Sequence, residues 1–97
     1  MFQGEYRAYA DTPMGRVQGN LVLRNQNGNL SGSLDAMGMR TEFQNGRIHA
    51  NQCEFEGIVK TPFGSFPYSV TGNDRGSQII LEVKTEKGNF KIVGDKK

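Results

Sequence analysis

Thr61-Pro62-Phe63-Gly64 repeats almost unchanged as Thr12-Pro13-Met14-Gly15, and weaker echoes stand at Asp35-Ala36-Met37-Gly38 and Thr85-Glu86-Lys87-Gly88. The glycines of the four copies lie 23, 26 and 24 residues apart, so a unit of about that length recurs four times. A fixed period of this kind marks a repeated supersecondary unit and constrains the architecture before any single residue is weighed. Each copy reads as strand, turn, strand, with a polar turn leading to the next.

The residues between the turns alternate with period two. Phe2, Gly4, Tyr6, Ala8 and Ala10 share one face of a first strand, and Val17, Gly19, Leu21 and Leu23 one face of a second. Gln26-Asn27-Gly28-Asn29 then carries Asn-Gly, the strongest short hairpin signal. Leu30, Gly32 and Leu34 line the third strand and Met39, Thr41 and Phe43 the fourth, which Asn45-Gly46 is expected to end. A polar link over residues 47–52 leads to Phe55, Gly57 and Val59 on the fifth. Phe66, Tyr68 and Val70 mark the sixth; Ile79, Leu81 and Val83 the seventh; Phe90 and Ile92 the eighth. The longest glycine-free stretch, 11 residues from Ser77 to Lys87, also alternates, which is a strand pattern and not a helical one.

Short links between successive strands require antiparallel neighbours, because a parallel crossover needs a dozen residues or more. An eight-strand meander exposes two edges unless it closes on itself. Gly4, Gly19, Gly32, Gly57, Gly72 and Gly94 share the apolar phase of their strands, where glycine suits the close backbone approaches of a small barrel. The expected fold is therefore all-β: an eight-stranded antiparallel up-and-down barrel spanning residues 1–97 as a single small domain. An open two-layer sandwich is the competing arrangement.

The bulk composition agrees. Ninety-seven residues make one core, and 35% hydrophobic with 23% charged residues describes a globular chain with a polar surface. A net charge of +2 is too small to argue for nucleic acid or an anionic membrane, and the arginines are scattered. Cys53 is the only cysteine, so no intrachain disulfide forms and no Cys-rich zinc site is available. No apolar run has the length of a membrane span, and the N-terminus lacks signal-peptide features. With Met1 as the natural start, the expected location is the cytoplasm.

The combination of Gly4-Glu5-Tyr6, Thr12-Pro13-Met14-Gly15, Asn29-Leu30-Ser31-Gly32 and Thr61-Pro62-Phe63-Gly64 resembles a small bacterial lipocalin-like (calycin-type) domain. The resemblance runs nearly the length of the chain and rests on turn and strand signatures. Gly4-Glu5-Tyr6 stands where true lipocalins carry Gly-x-Trp. The resemblance implies a barrel, either alone or appended to a larger protein such as a flavin-dependent oxidoreductase. It implies no catalytic residue.

Candidate chemistry is sparse. His49 is the only histidine and sits in the polar link, which excludes a His-rich metal site and reads as a surface position. Cys53 lies beside the core phase of the fifth strand, where Glu54 and Glu56 supply no electropositive setting, so it reads as a small partly buried residue and not a nucleophile. Glu54 and Glu56 share the face opposite Phe55 and Gly57, the spacing that solvent exposure itself produces. No enzyme activity, cofactor or metal is expected. The aromatics Phe2, Tyr6, Phe43, Phe55, Phe66, Tyr68 and Phe90 share the inward phase and, among the strand residues, Tyr9 alone points out, so the stacking platform of a nucleic-acid-binding barrel is missing.

Two features point to function. In a meander, alternate links lie at the same end, so the four repeated turns form one rim carrying Met14, Met37 and Phe63. That rim either folds over to plug the barrel or forms the entrance of a site for a small apolar ligand, with Tyr6 and Tyr68 orienting it from within. Seven inward aromatics favour a shallow site near one end over a roomy cavity. Separately, Tyr9, Val22, Ile80 and Val93 occupy the outward phase of strands one, two, seven and eight, a candidate interaction patch. The expected function is a non-enzymatic binding module for a small apolar ligand, either monomeric or a weak homodimer. The alternative is a structural or interaction domain with a filled core, docking on itself or on a larger protein. Neither nucleic acid nor membrane is an expected partner.

Overall fold

The computed structural model describes residues 2–12, 15–86 and 88–97, the side chains of Thr12 and Thr61 excepted. Eight antiparallel strands follow one another in order and close into a barrel. They are β1 (Gly4–Thr12), β2 (Gly15–Gln26), β3 (Asn29–Ala36), β4 (Met39–His49), β5 (Gln52–Thr61), β6 (Gly64–Asp74), β7 (Gln78–Thr85) and β8 (Gly88–Lys96). The all-β meander expected from the alternation is the observed fold, closed and not an open sandwich. No helix among the described residues is long and apolar enough to cross a membrane.

Three of the four repeated turns share one register. Thr12 pairs with Gly15, Thr61 with Gly64 and Thr85 with Gly88, so the glycine opens the returning strand. Its φ there is +109° at Gly15, +133° at Gly64 and +129° at Gly88, a region that side chains with a Cβ rarely enter. The fourth copy is different. Ala36 pairs with Met39, and Met37 and Gly38 are themselves the turn, with φ of 55° and 74°. Two positive φ values in a two-residue loop suit the right-handed twist of the flanking strands, and Asn27-Gly28 does the same at the opposite end.

Two expectations are corrected. Phe2 is not a strand residue. It precedes β1 with φ of 55° and folds over the polar-turn end of the barrel, fully buried in the core cluster. Its backbone N–H donates to Asp74 Oδ2 at 3.1 Å, and the neighbouring Gln3 Oε1 accepts from the Asn25 N–H at 2.7 Å. Nor does Asn45-Gly46 end β4. Asn45 takes a φ of 62° inside a bulge, because Leu30 pairs with Gly46 and Gly32 with Phe43, which leaves one extra residue on β4. The strand continues, and Arg47, Ile48 and His49 pair with Glu54, Cys53 and Gln52 of β5, shrinking the polar link to Ala50-Asn51.

The bulge matters because pairing between β4 and β5 stops beside it. Among the described residues those strands pair only from Arg47 to His49, and β8 pairs with β1 only over Val93–Lys96. Every other neighbouring pair is zipped over most of its length. Both short seams lie at the polar-turn end. The barrel is thus two four-stranded sheets, β1–β4 and β5–β8, joined at that end and parted at the end bearing the repeated turns. Bulges increase local twist and terminate pairing, which accounts for the β4–β5 side of this opening.

The core follows the inward phase: Tyr6, Leu21, Leu23, Leu30, Ile79 and Leu81 are buried, with Phe2 closing over them. Truncating a fully buried aromatic costs about 3–5 kcal/mol. Phe2→Ala is therefore expected to lower the urea midpoint by that equivalent. A loss below about 1 kcal/mol would show that Phe2 does not seal the barrel.

Candidate functional site

Where the two sheets part, an apolar cavity of about 270 Å³ enters the barrel from the repeated-turn end. Leu34, Thr41 and Phe43 of the first sheet face Phe55, Val59 and Tyr68 of the second, with Thr85, Phe90 and Ile92 completing the wall. No charged residue is among the described residues that line it. At its inner end Phe43 and Phe55 stack across the β4–β5 seam, ring centroids 3.8 Å apart and planes 10° from parallel. These are the first inward side chains beyond the paired part of that seam, so ring contact takes over where the backbone ladder ends.

Tyr68 reaches its place because Gly57 lies directly opposite it on β5. A Cβ at Gly57 would come within 2.6 Å of Tyr68 Cζ, so the bare backbone gives the ring its seat. Burial raises the pKa of the Tyr68 phenol, which keeps the wall uncharged.

A second apolar cavity, of about 240 Å³, lies at the same end on the β8–β1 side. Ala10, Val17, Ala36 and Met37 contribute to its wall, and Leu34, Phe90 and Ile92 line both cavities. These three side chains are the partition. Phe90 is 42% exposed although it occupies the inward phase, because β8 has no β1 partner at that level.

The residues expected at the site fall into distinct places. Tyr68 lines the first cavity. Tyr6 is buried deeper, in the core cluster, and is not on the cavity wall. Met37 and Phe63 are 78% and 91% exposed on the rim, turned neither into a plug nor onto the wall of the first cavity. Met14 lies outside the described residues. The wall residues Thr41, Phe43, Phe55, Val59 and Phe90 have the inward phase in the sequence. Phase alone does not separate inward residues that fill the barrel from inward residues beside a gap.

The outward patch is partly contiguous. Ile80 pairs with Val93 and Val93 with Tyr9, a cross-strand row of three, while Val22 stands apart opposite Glu5 and Ser33. The Arg16 guanidinium lies 4.7 Å from the Tyr9 ring centre, covering one end of the row. His49, Glu54 and Glu56 are exposed, and Glu54 Oε1 lies 3.8 Å from Arg47 Nη1 across the seam. Among the described residues no three His, Cys, Asp or Glu side chains gather as metal ligands would. Cys53 is buried, and burial above all pushes its thiol up to about 12. A comparison with known proteins finds no matching family model, no similar curated protein and no similar solved structure.

Two measurements follow. A thiol pKa raised on folding contributes stability that is complete below its ordinary value of 9.0 and is lost as pH rises toward about 12. Between those limits the wild type is expected to lose about 1.4 kcal/mol per pH unit relative to Cys53→Ala in paired urea titrations. A pH-independent difference would contradict this. Met37 holds a positive φ although it is neither Gly nor Asn, so Met37→Asn should raise stability by about 1 kcal/mol by relieving the left-handed strain. An unchanged melting temperature would show that the turn carries no such strain.

Proposed function

We propose that this chain is a non-enzymatic binding barrel that takes a small apolar ligand in the cavity at the repeated-turn end. One observation carries the reading: the barrel is sealed at one end by Phe2 and holds at the other an apolar space of about 270 Å³ with no charged side chain among the described residues of its wall. Small-molecule sites are concave, mostly apolar and largely formed before the ligand arrives, and barrel mouths are a common place for them. An apolar cavity this size also leaves its wall atoms without contact partners, a cost that a bound ligand removes. The site so described suits a small lipocalin-like, calycin-type domain of the bacterial kind that the turn motifs resemble. The cytoplasm is the matching compartment.

A second reading is supported by the rim itself. Phe63 and Met37 present large apolar surfaces outside the first cavity, and Ile80, Val93 and Tyr9 form an apolar row on the barrel wall. On this reading the domain docks on itself or on a larger protein, a flavin-dependent oxidoreductase among the candidates.

Naphthalene is a suitable uncharged probe. At ten times its Kd it should add about 1.4 kcal/mol to the stability of the folded state, raising Tm by roughly 6–11 °C for a domain of this size. Backbone amide shifts should concentrate at Thr41, Phe43, Phe55, Tyr68 and Phe90, and Val59→Phe, which fills the cavity, should abolish both effects. Shifts spread evenly over the surface, or no saturation, would overturn the ligand reading. Light scattering of the wild type and of Ile80→Glu tests the docking reading. A dimer that the substitution breaks would support self-association through the row.

A further inference from the structure

We infer that the ligand is an uncharged molecule of about eleven non-hydrogen atoms, and that Phe90 sets this limit as the partition between two apolar chambers. The inference rests on the reading of the first cavity as a binding site and adds its size, its charge and the residue that controls both chambers.

The size follows from volume. An apolar cavity of about 150 Å³ accommodates benzene, with six non-hydrogen atoms. By proportion, a space of about 270 Å³ holds about eleven such atoms. That is an alcohol of ten carbons, or a two-ring aromatic compound with a small substituent. The charge follows from the wall. None of the described residues that line the cavity offers a carboxylate or ammonium group a counter-ion. An ion drawn inside would lose its hydration without compensation, a larger cost than its alkyl chain recovers over a few carbons. A fatty acid of the same length therefore keeps its carboxylate in the water at the open mouth, leaves part of its chain outside, and binds more weakly than the alcohol.

Phe90 is the element on which size depends. It lines both chambers, as do Leu34 and Ile92. Leu34 sits inside a sheet, paired on one side with Leu21 and on the other with Thr41. Phe90 lies on the stretch of β8 that pairs with β7 but not with β1, so one flank of its backbone faces the gap. It is also the most exposed of the three. Removing its ring takes away the largest and most exposed of the three side chains between the chambers, whose combined volume is nearly double that of the first chamber, whereas the strand beneath keeps its β7 ladder.

The test is a series of 1-alkanols from hexanol to dodecanol, titrated calorimetrically into wild type, Phe90→Ala, Phe90→Leu and Phe90→Trp. Affinity should rise up to about fourfold per added methylene while the chain is still entering apolar space. In the wild type this rise should stop near decanol. In Phe90→Ala it should continue to dodecanol, which should bind at least fivefold more tightly than to wild type. Phe90→Leu should move the break in the same direction, and Phe90→Trp should move it to shorter chains. Octanoate at pH 7 should bind at least tenfold more weakly than octanol. If neither the alkanols nor naphthalene saturate, the binding-site reading itself falls. If alkanols bind but the break is the same in the wild type and all three Phe90 variants, that reading stands and the role of Phe90 as partition is wrong. Octanoate binding as tightly as octanol would overturn the charge rule alone.

Discussion

Four residue pairs between β8 and β1 join the first strand of this chain to the last, and without them the molecule would be an open sheet. A backbone hydrogen bond contributes only about 0.5–1.5 kcal/mol net, so a ladder this short cannot hold a barrel against the entropy of opening. The burial beneath it must do most of that work. Tyr6, Leu21, Leu23, Leu30 and Ile79 are all at most 2% exposed, and burying side chains of this kind stabilises by about 1.5–3 kcal/mol each. Phe2 completes that core from outside the strand order, held by Asp74 at the end where the seams are closed.

The same economy of pairing produces the cavity. A barrel zipped along its full length would bring β4 against β5, and β8 against β1, up to the repeated turns. Side chains of eight strands would then fill the interior. Here the bulge at Asn45 ends one seam early, and the other stops at Tyr9 and Val93. The sheets separate, and the inward residues beyond that level face a gap. Phe43 and Phe55 stack at its inner end, and Tyr68 lies back over Gly57, which leaves the middle empty. Sealed end and open end are two consequences of one distribution of strand pairs.

Much of this was legible beforehand. Alternation identified the eight strands, and short links made them antiparallel neighbours. The four turns also located the rim. Three of them share a register in which glycine opens the returning strand, while the fourth places Gly38 inside the turn, one position earlier. The misreadings have local causes. Asn45-Gly46 carries the turn signature of Asn27-Gly28, yet one residue pair makes a hairpin and the other a bulge. The difference lies in what stands opposite: Leu30 and Gly32 of β3 keep pairing across the extra residue. Phe2 has the inward phase of β1, but two positive-φ residues, Phe2 and Gly4, turn the chain over the barrel end.

The candidate site was legible only in part, for a reason that applies to any barrel read from its strands. The period of two assigns each side chain to the inside or the outside, and it did so correctly for Phe43, Phe55, Val59, Tyr68 and Ile92. Whether an inward residue is core or cavity wall depends on how far β4 remains paired with β5 and β8 with β1. Tyr6 and Tyr68 have the same phase and the same chemistry. One is in the sealed half and the other faces the gap. Met37 and Phe63 were placed on the correct rim, but their direction depends on turn geometry, which sends both outward. By itself the sequence determined the strands, their order and the end at which the repeated turns gather, because these depend on local periodicity and link length. Only the tertiary structure decided that this end stands open, because that depends on where pairing stops, at the bulge between β4 and β5 and partway along the seam between β8 and β1.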